Sequence, residues 1–336
     1  MINKKSSFSL VVVLVISLSF FLTVGVSAQS DKFRIALVMP STVNDMAWSQ
    51  SMYDSLLAIQ EEMGEEDLEI AYSENKYVIS EANTAIRDYA NRGFDLVIAH
   101  GSQYGAELVN IAPDFPGTSF AWGSTARTFS DQGIDNIFAY EPHAGQGGYV
   151  NGVIAARLSE SDIMGFIGPI ESGDAKKYML GFKQGVKAKS PDAKVKVTWT
   201  GSYSDVAAAA KTAKSHIQAG ADVLTGTSQM VTGAVGEAKK KDVMWFGYDV
   251  DQSPLAPNTV VSSVVVDFSG PVRQMIDLIK EGTLGEKIFP ATLENGGIRM
   301  ALNEKALGDE YEEVKSLAED TVERIVDGEI EISLED

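Results

Sequence analysis

The chain has 336 residues, with 47 acidic against 28 basic side chains, a formal net charge of −19 and no cysteine. So acidic a surface repels nucleic acid and anionic lipid, and neither is expected as a partner. The missing cysteine removes thiol catalysis, cysteine metal sites and lipid attachment through an N-terminal thiol, so stability must come from an apolar core.

Lys4 and Lys5 precede an apolar run over residues 8–26, and Val26-Ser27-Ala28 offers small residues where a signal peptidase reads. A signal peptide over residues 1–28, cleaved after Ala28, is expected, with a single membrane anchor as the alternative for that run. Removing Lys4 and Lys5 leaves 26 basic against 47 acidic residues, and no other stretch is apolar for long enough to span a bilayer. The expectation is a free, unlipidated periplasmic protein.

From Lys32 onward, short apolar runs alternate with segments of helical period, the pattern of a parallel sheet covered by helices. Strands are predicted at 33–39, 69–73, 94–99, 118–121 and 136–140. Helices are predicted at 48–63, 80–92 and 106–112. Gly145-Gln146-Gly147-Gly148 then opens a new helix and the beat restarts, with strands at 163–167, 195–199, 223–225 and 244–248. Their helices fall near 176–189, 206–219 and 233–240. The tail from about 259 holds a strand, a helix at 271–281, a strand at 298–301 and a C-terminal helix. It is too short for a third domain, so it must finish both units. Lobe 1 is expected over 32–140 plus about 267–288, and lobe 2 over 141–266 plus about 289–336.

Enzymatic machinery is hard to find. There is no Gly-x-Ser-x-Gly elbow, no His-Glu-x-x-His and no Walker loop, and the first strand–helix turn, Pro40-Ser41-Thr42-Val43-Asn44, has no glycine for a dinucleotide. The histidines are His100 at a strand end, His143 at the presumed crossover, and His216 in a Lys-rich helix, where it is expected to be solvated. In open α/β sheets, ligands bind beyond the carboxyl ends of the strands. The polar and aromatic residues at those ends are Asn44, Asp45, Trp48, Ser102, Gln103 and Trp122 in the first unit. The second supplies Ser202, Tyr203, Asp205, Thr227, Ser228, Asp249 and Asp251. Aromatic faces with neutral and acidic hydrogen-bonding groups suit a flat, uncharged heterocycle carrying exocyclic donors, and suit an anion poorly. A core role for Trp48 and capping roles for Asp45 and Asp205 compete with ligand contact.

Several segments, in this order and spacing, resemble the basic membrane protein family of ABC-transporter solute-binding proteins, which includes purine nucleoside receptors. They are Asp45-Met46-Ala47-Trp48-Ser49-Gln50, Gly152-Val153-Ile154-Ala155-Ala156, Gly181-Phe182-Lys183-Gln184-Gly185-Val186, Gly201-Ser202-Tyr203-Ser204-Asp205, Gln218-Ala219-Gly220-Ala221-Asp222-Val223 and Asp249-Val250-Asp251-Gln252-Ser253-Pro254. The resemblance covers about residues 33–301. It implies an α/β type I periplasmic-binding-protein fold: two doubly wound parallel-sheet lobes joined by a multi-strand hinge, closing on a small molecule without catalysis or cofactor. It also implies a base sandwiched between Trp48 and Tyr203, base-edge bonds from Asp45 and Asn44, and ribose bonds from Asp249. Where nucleoside binders resemble one another in a lysine, this chain has Val266. That departure points to a purine-like base before a nucleoside, with a flavin or sugar-like ligand, a sensor role and a periplasmic enzyme as the other readings. The implied partner is an ABC permease of the inner membrane, and a monomer is expected.

Overall fold

The first half alternates as the periodicity predicts: β1 (Phe33–Val38), α1 (Trp48–Met63), β2 (Leu68–Ser73), α2 (Ile79–Asn91), β3 (Leu96–Ala99), α3 (Gly105–Ile111), β4 (Ser119–Gly123) and β5 (Ile137–Pro142). The beat resumes with α4 (Ala144–Leu158), β6 (Ile163–Gly168), α5 (Gly173–Lys189), β7 (Lys194–Trp199), α6 (Val206–Gln218), β8 (Val223–Gly226), α7 (Val231–Lys241), β9 (Met244–Asp249) and β10 (Val260–Val266). The tail holds α8 (Ser269–Lys280), β11 (Ile288–Ala291), β12 (Ile298–Leu302), α9 (Glu304–Leu307) and α10 (Tyr311–Val326). This computed structural model describes residues 32–335, so the expected signal peptide and its cleavage point lie outside the described residues.

The strands form two six-stranded sheets, in the orders β11-β5-β4-β3-β1-β2 and β12-β10-β9-β8-β6-β7. All pairs are parallel except β10 with β12. Each sheet repeats the 2-1-3-4-5 order of a doubly wound fold, which reverses between β1 and β3 in one sheet and between β6 and β8 in the other. Central strands read as unbroken apolar runs because helices cover both faces. Leu96, Val97, Ile98 and Ala99 of β3 are all fully buried.

The chain passes between the sheets three times, between β5 and α4, between β10 and α8, and between β11 and β12. The crossings are tied together: His143 N–H donates to the Ala291 carbonyl at 2.8 Å and Asp267 N–H to the Gly297 carbonyl at 2.9 Å. The third crossing corrects the expected boundary near residue 288. β11 pairs with β5 from Ile288↔Ala139 to Ala291↔Pro142, so the chain leaves the first sheet only after Ala291. Four residues ending in Phe-Pro-Ala carry too little periodicity to read as a strand, and Pro290 is tolerated because β11 is an edge. His216, expected in solvent, is buried at 6% exposure against Gly165 of β6.

Helices α4 and α5 approach backbone to backbone. A Cβ on Gly148 would stand 2.3 Å from the Tyr178 carbonyl oxygen, on Gly152 2.2 Å from that of Phe182, on Gly181 2.0 Å from that of Gly145, and on Gly185 2.1 Å from that of Tyr149. The two glycine-bearing segments that carried part of the family resemblance are therefore a packing seam.

Candidate functional site

The two strand-order reversals face one another across a cavity of about 570 Å³, within the usual range for small-molecule sites. From the first lobe come Pro40 after β1, Gly101, Ser102 and Gln103 after β3, Ser124 after β4, and Tyr77 and Ile79 at the start of α2. The second lobe supplies Pro169, Ile170 and Ser172 after β6, Gly173 to Ala175 at the start of α5, Tyr203 after β7, Thr227 to Gln229 after β8, and Tyr248 and Asp249 at the end of β9. Trp48, the first residue of α1, completes the lining, which contains no lysine or arginine.

Trp48 is held from behind. The His100 imidazole stacks on the indole with centroids 4.1 Å apart and planes 3° apart, and Phe268 meets it edge-on at 5.5 Å. Trp48 Nε1 donates to the His100 carbonyl at 3.2 Å. Nε2 of His100 lies 2.7 Å from the Trp48 carbonyl, which can only accept, so Nε2 carries the proton and Nδ1 accepts from the Tyr140 hydroxyl at 2.7 Å. Burial drives the His100 pKa down to about 3, so the ring stays neutral. His100 thus orients Trp48 without lining the cavity itself.

Tyr203 sits in a turn pinned by side chains. Ser202 Oγ accepts from the backbone of Ser204 and Asp205, and Asp205 caps α6 by accepting from Ala208 N–H at 2.8 Å. The Tyr203 carbonyl in turn accepts from Met230 N–H. The phenol is raised by burial, which a hydrogen bond with Ser172 offsets.

The floor is made of polar groups left without partners. Thr227 Oγ1, Ser228 Oγ, Tyr248 OH and Asp174 Oδ1 are buried and have no hydrogen-bond partner among the described residues. Asp249 is 2% exposed and its backbone is held at φ 80°, a left-handed conformation that costs a non-glycine residue energy. Its pKa is raised well above the carboxylate range, first by burial and then by the charges of Asp45 and Asp174. Each unmet buried polar group costs about 1–3 kcal/mol, so this floor is organised for a polar occupant.

Of the residues singled out from sequence, Trp48, Ser102, Gln103, Tyr203, Thr227, Ser228 and Asp249 come together here, whereas Asn44, Asp45 and Trp122 do not line the cavity. Asn44 is exposed. Asp45 uses both oxygens on backbone N–H groups of Ala47, Ser49 and Gln50, organising the loop before α1, and burial raises its pKa despite those bonds. Trp122 stacks on Phe129 at 5.2 Å and its Nε1 donates to the Gly101 carbonyl, packing the β3 loop from outside. Sequence reasoning missed Tyr77, Ser124, Ser172, Asp174, Gln229 and Tyr248. Ser172 to Asp174 follow β6 as Ser228 follows β8, so the rule that found the one set applied to the other.

Two α/β lobes with facing switch points and a cavity between them are the architecture of a two-lobed small-molecule-binding protein. Solved solute-binding proteins share the fold: one from Conexibacter woesei superposes with a TM-score of 0.73 at 22% identity, covering 89% of this chain and 98% of that one. Another, from Aeropyrum pernix, gives 0.76 at 17% identity, covering 90% and 93%. The chain belongs to the ABC transporter substrate-binding protein PnrA-like family, whose profile matches residues 32–335. Among curated relatives, a purine-binding protein of Brucella abortus is 26% identical over 92% of this chain and 85% of its own length. A transcriptional activator of Bacillus subtilis is 29% identical over 75% and 76%.

Proposed function

We propose that this protein is the periplasmic receptor of an ABC importer for a purine-like heterocycle, taking the free base in preference to the nucleoside. The observation that carries the reading is the meeting of Trp48 and Tyr203, one from each lobe, on a cavity whose floor is acidic and hydroxylic and whose lining has no cation. Aromatic faces take the π-surface of a base, and carboxyl and hydroxyl groups take its N–H and ring-nitrogen edges. A phosphorylated nucleotide finds no positive partner there. Val266 lies buried in the core cluster near the hinge, so the position where nucleoside binders of the family resemble one another in a lysine offers nothing to a ribose. The similarity to a purine-binding relative adds support. The protein works as a monomer, and its closed form docks on an inner-membrane permease.

Calorimetric titration with adenine, guanine, hypoxanthine, adenosine, guanosine, AMP, riboflavin and ribose tests the reading. Mass spectrometry of any solute carried through purification complements it. The bases are expected to bind tightest and the nucleosides at least about tenfold more weakly, a difference of 1.4 kcal/mol. AMP is expected not to bind. Riboflavin or ribose binding with no response to any purine would reject the proposal.

A further inference from the structure

Asp174 touches both lobes and the cavity at once. It lies in the first turn of α5, in the second lobe, and its Oδ2 accepts a hydrogen bond at 2.7 Å from the hydroxyl of Ser124, which follows β4 in the first lobe. Ser124 itself has a φ of 60°. Asp174 Oδ1 is buried, has no hydrogen-bond partner among the described residues, and belongs to a side chain that lines the cavity. Lys177 Nζ stands 3.9 Å from Oδ1 but is engaged by Glu141.

We propose that Asp174 couples the solute to lobe closure, its Oδ1 accepting an N–H of the solute while its Oδ2 holds Ser124 of the opposite lobe. The proposal rests on the reading of the cavity as a purine site. A carboxylate has enough lone pairs for both bonds, and charge-assisted bonds are the strong ones. A ligand shifts an opening equilibrium only as far as it favours one state over the other. A solute that orders a carboxylate already bonded across the cleft favours the closed state by construction. Two other side-chain contacts join the lobes across the cleft among the described residues, Lys177 Nζ with Glu141 and Gln252 Nε2 to the Met46 carbonyl at 3.0 Å, and neither can report the solute, because none of these residues lines the cavity. Asp249 lines the cavity but makes no bond to the first lobe among the described residues. Burial pushes Asp174 up to about 6, against the pull of Ser124 and Lys177 and with Glu141 adding to the rise; Tyr140, Tyr203, Tyr248 and Asp249 feel its charge in turn. An N–H bond to the ionised form would favour ionisation.

The test compares Ser124→Ala with Asp174→Ala, titrated with adenine, with 9-methyladenine, which lacks the N9 proton, and with unsubstituted purine, which lacks the amine. Small-angle scattering with and without adenine reads closure. Ser124→Ala is expected to weaken all three probes by one common factor, to keep their order and to reduce compaction. Asp174→Ala is expected to do the same and to lose the order as well, adenine falling about tenfold further than the analogue missing the bonded donor, the worth of one charge-assisted bond. A folded Asp174→Ala protein with wild-type affinities, or with losses no different from Ser124→Ala for every probe, would overturn the proposal. If the wild type binds none of the three, the purine reading falls, and both variants are titrated with riboflavin or ribose, whichever stabilises the wild type. A larger loss in Asp174→Ala than in Ser124→Ala then supports the coupling, and equal losses reject it. Should Asp174→Ala not fold, Asp174→Asn, with one acceptor oxygen for two donors, is expected to show the same pattern at smaller amplitude. Wild-type behaviour in that variant overturns the proposal.

Discussion

Trp48 and Tyr203 are expected to respond differently to truncation, because their surroundings differ. Tyr203 is half-buried in a polar turn, so Tyr203→Ala should weaken base binding by roughly five- to 150-fold, the 1–3 kcal/mol of one stacked base, with little change in melting temperature. Trp48 also covers His100 and meets Phe268, so Trp48→Ala should lose affinity and also stability, by less than the roughly 3–5 kcal/mol of a fully buried ring. Parallel melting curves and titrations of the two variants check this. Unchanged affinity in folded Tyr203→Ala protein would remove the sandwich. Asp249 gives a third contrast: a carboxyl held in a buried, acidic setting opposes folding at neutral pH, so Asp249→Asn should raise the melting temperature of the ligand-free protein while weakening the solute. A free base should lose less than a nucleoside, whose ribose hydroxyls need the acceptor.

At the scale of elements, the seam between α4 and α5 has the least tolerance. Adding one methyl at Gly152 would push the helices apart, since the Phe182 carbonyl is a backbone atom that cannot rotate away. Gly152→Ala should therefore cost about 1–3 kcal/mol or more, seen as a lower urea midpoint, whereas Gly236→Ala in α7, with nothing within 4 Å, should be neutral or slightly stabilising. This seam also explains a limit of sequence reading. Gly-x-x-Gly spacings on a buried helix look the same whether a ligand or a neighbouring backbone approaches, and only tertiary structure tells them apart. The βα beat was legible because apolar runs of β3 or β9 and amphipathic helices such as α8 differ in period. β11 was not, having four residues and a proline. Asp174 escaped notice although it follows β6 as Ser228 follows β8, whereas Asp45, chosen for the site, bonds the backbone N–H groups of its own loop.

For the whole molecule, acid stability is set by opposing groups. His100 stays neutral in the folded state until about pH 3, while in the unfolded chain it takes up a proton near its ordinary 6.5. The unfolded state then binds more protons, so this residue alone removes about 1.4 kcal/mol of stability per unit as pH falls through that window. Asp174, raised to about 6, and Asp249, also raised, take up protons in the folded state first and return stability on the same descent. His143 and His216, also lowered by burial, add to the loss, so wild-type stability should change little between about pH 6 and pH 4. The double variant Asp174→Asn with Asp249→Asn should be more stable at neutral pH and fall more steeply below it, as chemical denaturation across that range would reveal. A parallel slope in the two proteins would mean that these carboxyls are not raised.

The three tied crossings also govern the order in which the protein can be made. The first sheet lacks its edge strand until Ala291 has been synthesised, and the second lacks β12 until Leu302. Neither lobe is a continuous stretch of the chain, and neither sheet is completed before residue 288. A ribosome pausing before residue 288 therefore holds two open sheets at once, each with an unpaired edge able to recruit another chain. A premature stop there leaves both sheets without an edge strand at the same time.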